Sequence, residues 1–212
     1  MDKNHNPARD LSHIKSMMEQ SSRFISLSGL SGVSAGVVAL IGAYFTKRVI
    51  GDFQLQDGNH PSVSIHNFIG SSLFYIAFGT LLGAFLSGFL FTYIKSKKSG
   101  QSIWGAASKR MLFNLLLPLV AGGLFLLKLI SIGEIGITAP ACLIFYGLAL
   151  VNASKYTLGD IKSLGYLEIL LGLINLLYVG QGLIFWVIGF GLAHILYGLY
   201  MWKKYDVVNN RD

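Results

Sequence analysis

The sequence predicts an all-α protein, a polytopic bundle of six transmembrane helices preceded by a short N-terminal amphipathic helix. Three observations predict it. Hydrophobic residues make up 53% of the 212-residue chain and charged residues only 13%, where a soluble domain carries about a quarter. The apolar residues gather into runs close to the length that crosses a hydrocarbon layer about 30 Å thick. Of the 17 Lys and Arg residues, all but Lys47, Arg48 and Lys128 fall on one side of such a bundle, the asymmetry that marks a cytoplasmic face. The chain therefore divides into a cytoplasmic segment (1–23), a six-helix transmembrane domain (24–202) and a cytoplasmic tail (203–212), with both ends in the cytoplasm.

Within 10–23, Leu11, Ile14 and Met18 recur at helical spacing behind Asp10, a suitable N-cap. A helix lying at the membrane surface and an extension of the first span into solvent both fit. The 23 mostly polar residues ahead of the first apolar run argue against a cleavable signal peptide. The first span, 24–46, carries Ser28, Gly32 and Gly36 four apart, with Ser31, Ala35 and Ala39 beside them. Such rows let helix backbones approach closely, and close approach drives association where lipid offers no hydrophobic gain. No strand precedes these glycines, so they are not a dinucleotide loop.

The stretch 47–67 reads as a solvated loop, with Asp52, Asp57, His60 and His66 spaced irregularly around Pro61. The spacing does not match a zinc site. The second span, 68–94, repeats the small-residue spacing at Gly79 and Gly83. A basic juxtamembrane loop follows over 95–110, where Lys95, Lys97, Lys98, Lys109 and Arg110 surround Trp104 and suit anionic lipid headgroups. The third span, 111–130, contains Asn114 and, four residues later, Pro118. A proline inside a membrane helix is tolerated when a neighbour satisfies the carbonyl it frees. After a tight connection at 131–134 comes the fourth span, 135–153, with Pro140 and Asn152, and then a polar loop over 154–162.

The fifth and sixth spans lie in 163–203, two apolar runs hinged at Gly180-Gln181-Gly182. Run lengths favour full crossing; a re-entrant hairpin would place the charges equally well. This stretch holds Glu168 and His194, and ionisable groups at membrane depth are costly unless partnered. Gly165, Glu168, Gly172 and Asn175 share one helical stripe, and Gly191, His194 and Gly198 another. Both titratable residues come out slightly to the cytoplasmic side of the midplane, and two helices joined by a tight turn pack antiparallel. The expectation is that Glu168 and His194 face each other inside the bundle, with Asn175, Asn114 and Asn152 extending a polar network. Gly32, Gly36, Gly79, Gly83, Gly172, Gly191 and Gly198 are expected to form helix-packing faces.

Several function classes drop out. A single Cys142 rules out an intrachain disulfide and a cysteine metal cluster. The net charge of +7 is spread along the span ends rather than in one soluble patch, so no nucleic-acid partner is expected. Nucleophile elbow, HExxH, Walker loop and Cys–His arrangement are all missing, and no cofactor or metal is implied.

The segments SSRFISLSGLSGVSAG (21–36), LGYLEILLGL (164–173) and GLIFWVIGFGLAHILYG (182–198) resemble a group of uncharacterised bacterial six-span inner-membrane proteins. The resemblance implies an inner-membrane location and carries over no activity, ligand or site residue. Two functions remain in view. The first is a non-enzymatic integral membrane protein with a structural, regulatory or partner-binding role. The alternative is a small transporter or channel, proton-coupled and dimeric, working through the Glu168 and His194 region.

Overall fold

Residues 28–56, 70–99 and 104–207 are described by a computed structural model of the chain. The expected N-terminal helix (10–23), the start of the first span, and Asp57, His60 and His66 lie outside the described residues. All regular structure among the described residues is helical. A helix pairs its own backbone groups, which is what an apolar medium requires of a spanning segment.

Helix α1 spans Gly29–Gln56, α2 Ser72–Ser99 and α3 Ala106–Ser131. Helix α4 covers Thr138–Ala153 between 3-10 turns at Ile135–Ile137 and Ser154–Tyr156. Helix α5 covers Ile161–Leu177. The last column is α6 (Gly182–Trp186), a π-helical stretch Val187–Ala193, α7 (His194–Met201) and a terminal π turn Trp202–Val207. Five helical segments are long and apolar enough to cross a membrane: Gly29–Ile50, Ser72–Lys98, Ala106–Ser131, Ile135–Tyr156 and Gly182–Asp206. Helix α5, at 17 residues, reaches about 25 Å.

The first three helices outrun their expected bounds. Helix α1 continues to Gln56, ten residues past the expected end at 46, because no proline interrupts it and Arg48 lies over the Tyr44 ring one turn back, 5.3 Å from its centroid. The basic stretch 95–110 is not a free loop at its ends, which belong to α2 and α3. Nor is Lys95 free for headgroups, since it pairs with Asp206 at 2.6 Å. The same Asp206 accepts from the Gly29 amide at 3.2 Å and the Ser28 hydroxyl at 3.1 Å. A carboxylate from the last column thus caps the N-terminus of α1, where the helix dipole favours negative charge. Residues 203–207 are drawn into the helical column rather than a tail, as Lys204 and Tyr205 both bind Asp160, at 2.6 and 2.9 Å.

The interior mixes alanines and a Leu150–Leu158–Ile161–Leu164–Met201 cluster with the polar Glu168, Asn175 and His194, while much of the exterior is large and apolar. Leu81, Phe113 and Leu196 are about two-thirds exposed (71%, 68% and 68%), whereas Ala39, Ala43, Ala141, Ala149 and Ala153 are buried. Water would select the opposite arrangement; lipid tolerates exposed Leu and rewards close backbone packing. One seam joins α1 to the last column. A Cβ added at Gly36 would stand 2.7 Å from the Gly191 carbonyl, and one at Gly32 3.2 Å from the Gly198 Cα. A second seam joins α4 to α5, where a Cβ on Gly165 would come 2.8 Å from the Gly147 carbonyl and one on Gly172 2.9 Å from that of Pro140.

Helix α2 packs on α1 through Thr80 and Gly83, the latter facing Val38. Gly79 meets nothing and is exposed. The expectation for Gly79 fails because consecutive residues lie about 100° apart on a helix, so placing Thr80 on the seam turns Gly79 to the outer surface.

Extensive contacts run α2–α1, α1–last column, α4–α5 and α3–α4. The last column also touches α4 and α5, and so joins the α1–α2 hairpin to the α3–α5 unit. Helices α2 and α3 form no packed pair.

Candidate functional site

Three helices bring one residue each to a common depth. Tyr146 lies seven residues before Ala153, the end of α4; Glu168 lies seven after Ile161, the start of α5; His194 lies seven before Met201, the end of α7. All three ends are on the same side of the bundle, so each residue sits about 10 Å in. The stripe on α5 faces inward as its spacing implies, with Gly165, Glu168, Gly172 and Asn175 all buried.

Glu168 has no exposed surface and His194 is 5% exposed. Glu168 Oε1 stands 3.3 Å from His194 Nδ1. The same Nδ1 lies 3.0 Å from the Gly189 carbonyl oxygen, and Nε2 lies 2.8 Å from the Tyr146 hydroxyl. The Nδ1–Gly189 contact has hydrogen-bond geometry; the Glu168 contact is within ion-pair distance but lacks that geometry, and neither carboxylate oxygen has another hydrogen-bond partner among the described residues. In the tautomer that carries its proton on Nδ1, the ring donates to the Gly189 carbonyl and accepts from the Tyr146 hydroxyl at Nε2.

The π-helical stretch makes this meeting possible. A π turn inserts one residue into the ladder, a distortion that recurs at functional sites. Here it spans Val187–Ala193 and ends at His194. Gly189 sits within it, and a Cβ there would come 2.5 Å from Glu168 Oε2 and 2.7 Å from Leu143 Cδ2. The carboxylate occupies the notch this missing side chain leaves. The imidazole packs against a pair of aromatic rings, with centroids 5.3 Å away for Tyr146 and 5.9 Å for Phe190.

The asparagines stand apart from this trio. Asn175 is buried with neither side-chain atom hydrogen-bonded among the described residues, but it lies about two turns, roughly 10 Å, along the helix from Glu168. Asn152 Nδ2 donates instead to the Asn114 backbone carbonyl at 2.9 Å. That carbonyl is the one Pro118, four residues on, has no N–H to reach. The Asn114 side chain turns back to the Arg110 carbonyl at 2.8 Å. Asn152 therefore serves the carbonyl that Pro118 frees in α3, Asn114 bonds within its own helix, and neither extends the Glu168–His194 pair.

Tyr146 was not singled out from the sequence. A depth count like the one that matched Glu168 with His194 would have found it, since it is an aromatic hydroxyl at the same distance from the same face. It also carries the trio to open space. Tyr146 and His194 form part of the wall of a cavity of about 390 Å³ that lies between the α1–α2 hairpin and α3, α4 and α7. Nearer the helix ends, Asp160 is held below the usual carboxylate range by its hydrogen bond from Lys204, helped by Tyr205 against partial burial.

No family model, curated protein or solved structure matches the chain.

Proposed function

We propose that the protein is a non-enzymatic, six-span protein of the bacterial inner membrane, with both termini cytoplasmic, that couples a proton to a ligand as a small transporter. One observation carries the coupling: a buried carboxylate and imidazole 3.3 Å apart, continued by the Tyr146 hydroxyl to a cavity wall. Intramembrane ionisable groups that pair in this way are the usual parts of proton relays. Six crossings are supported by the short connections at the two ends of α5, which oblige it to match the thickness its neighbours cross despite its 17 residues. Orientation rests on the basic residues gathered at the end where α2 stops and α3 begins; Lys97, Lys98, Lys109 and Arg110 would meet anionic headgroups there. A structural or partner-binding role is the second reading. The glycine seams favour it, as does the fact that the Glu168 carboxylate lies behind His194 and does not line the cavity.

Proteoliposomes loaded with a pH-sensitive dye and given an outward-to-inward acid step separate the two. Transport predicts protein-dependent acidification that Glu168→Gln abolishes while the variant stays folded. Absence of proton movement in both proteins removes the transporter reading and leaves a Glu168→Gln effect on stability alone.

A further inference from the structure

The cavity lies between two units, the α1–α2 hairpin on one side and α3–α5 on the other. Among the described elements these units touch chiefly through the last column, since α2 and α3 form no packed pair. At the end where α2 stops, the connection is concentrated in the terminal π turn, Trp202–Val207.

Three consecutive residues of that turn reach opposite units. Lys204 Nζ lies 2.6 Å from Asp160 Oδ2, and the Tyr205 hydroxyl donates to the same oxygen at 2.9 Å. Asp160 immediately precedes α5. Asp206 turns the other way. Its Oδ1 stands 2.6 Å from Lys95 Nζ on α2, and its Oδ2 accepts from Ser28 and Gly29 at the start of α1.

These anchors stand at the rim of the cavity. Ser28 and Gly29, which Asp206 holds, are part of its wall. So are Thr92, about one turn before Lys95; Ile161, next to Asp160; and Met201, about one turn before Lys204. The grip is also a weak one. The Lys204 and Asp160 side chains keep 43% and 30% of their surface exposed, and ion pairs so open to water contribute little individually. Their carrier is a π turn rather than an α-helix, a rare form that recurs at functional sites.

We infer that residues 204–206 form a releasable strap across this end of the cavity, and that release lets water-soluble solutes into it. Closed, the strap ties α1 and α2 to the start of α5 through one short segment. Opened, it leaves the two units free to part at that end. The strap works in this way whether or not the Glu168–His194 pair moves a proton.

The test places a cysteine inside the strap and measures its access to water. Ala35 lines the cavity seven residues beyond Ser28, about 10 Å along α1. Ala35→Cys is made with Cys142→Ala, which removes the chain's one native cysteine. The full chain in nanodiscs is then treated with a charged methanethiosulfonate reagent that does not enter lipid, and the labelling rate is followed by mass spectrometry. Slow labelling is expected with the strap intact. Lys95→Ala, which spares the Asp206 cap on α1, and Asp160→Asn should each raise the rate about fivefold, the upper worth of an exposed pair, and together raise it further. Asp160→Lys combined with Lys204→Asp rebuilds the pair with its charges exchanged and should restore the slow rate, which general loosening of the fold would not do. Fast labelling with the strap intact, a rate that the single variants leave unchanged, or a rise that the exchange fails to reverse overturns the inference.

Discussion

Asn152→Leu tests the repair of the proline break, because the structure says where its effect should vanish. The substitution keeps approximate volume and removes the donor 2.9 Å from the Asn114 carbonyl. That carbonyl has no helical partner because residue 118 is proline. Interhelical hydrogen bonds in membranes are worth about 0.6 kcal/mol on average and up to about 1.7. This one belongs near the upper half of that range, since its acceptor has no alternative in the helix, and the expected loss is about 1 kcal/mol. Pro118→Ala restores an N–H at the position that reaches Asn114, so in that background the amide becomes redundant and Asn152→Leu should cost almost nothing. The quantity measured is the coupling free energy of the four proteins, from denaturant titration followed by circular dichroism in bicelles. A coupling near 1 kcal/mol is expected. Equal losses in the two backgrounds would refute the claim that Asn152 serves the carbonyl freed by Pro118.

Other expectations follow from the trio and from the helix ends. Gly189→Ala puts a methyl 2.5 Å from Glu168 Oε2 and 2.7 Å from Leu143, so it should cost about 1–3 kcal/mol by overpacking, read as a lowered unfolding midpoint. Tyr146→Phe removes the hydroxyl 2.8 Å from His194 Nε2 without changing the ring stack. It should cost about 1 kcal/mol and slow any proton flux in the liposome assay, whereas a purely structural tyrosine would leave flux untouched. Asp160 is depressed below its ordinary value of 3.8 by Lys204. The stability it brings is therefore present above that value and lost as pH falls through its lower, folded one. In a denaturation series carried below pH 4, wild type should lose midpoint faster than Asp160→Asn; parallel curves would show that this contact contributes nothing.

Periodicity and composition were enough to find the long apolar helices, because a long apolar run is a signal carried by the run itself. They were weaker at the helix ends. The extensions of α1 to Gln56 and of α2 to Ser99 depend on polar residues that continue a helix once it is nucleated, as Arg48 does over Tyr44, and hydropathy cannot see them. The glycine rows were legible as packing surfaces but not in their phase. Gly32, Gly36, Gly191 and Gly198 meet across one seam, while Gly79, with the same spacing from Gly83 as in that row, lies on the outer surface. Spacing defines a stripe on one helix; which stripe is used depends on the partner.

The site shows the same division between depth and contact. Depth is a property of one helix and a count of residues, which is why Glu168 and His194 could be matched from the sequence. Contact depends on rotation, and here rotation depends on a π turn that nothing in the VIGFGLA segment announces. Its extra residue brings the Gly189 carbonyl to the His194 ring and the Gly189 notch to the Glu168 carboxylate. In a regular α-helix, residue 189 would lie one turn and about 140° around the axis from 194, and its carbonyl would turn away from the imidazole. The asparagines illustrate the converse. Asn114 and Asn152 share the same half of the bundle with the pair, yet Asn152 is claimed by the carbonyl that Pro118 frees, a local demand stronger than membership in a distant network. In a medium without water, the nearest unpaired carbonyl decides where a polar side chain goes.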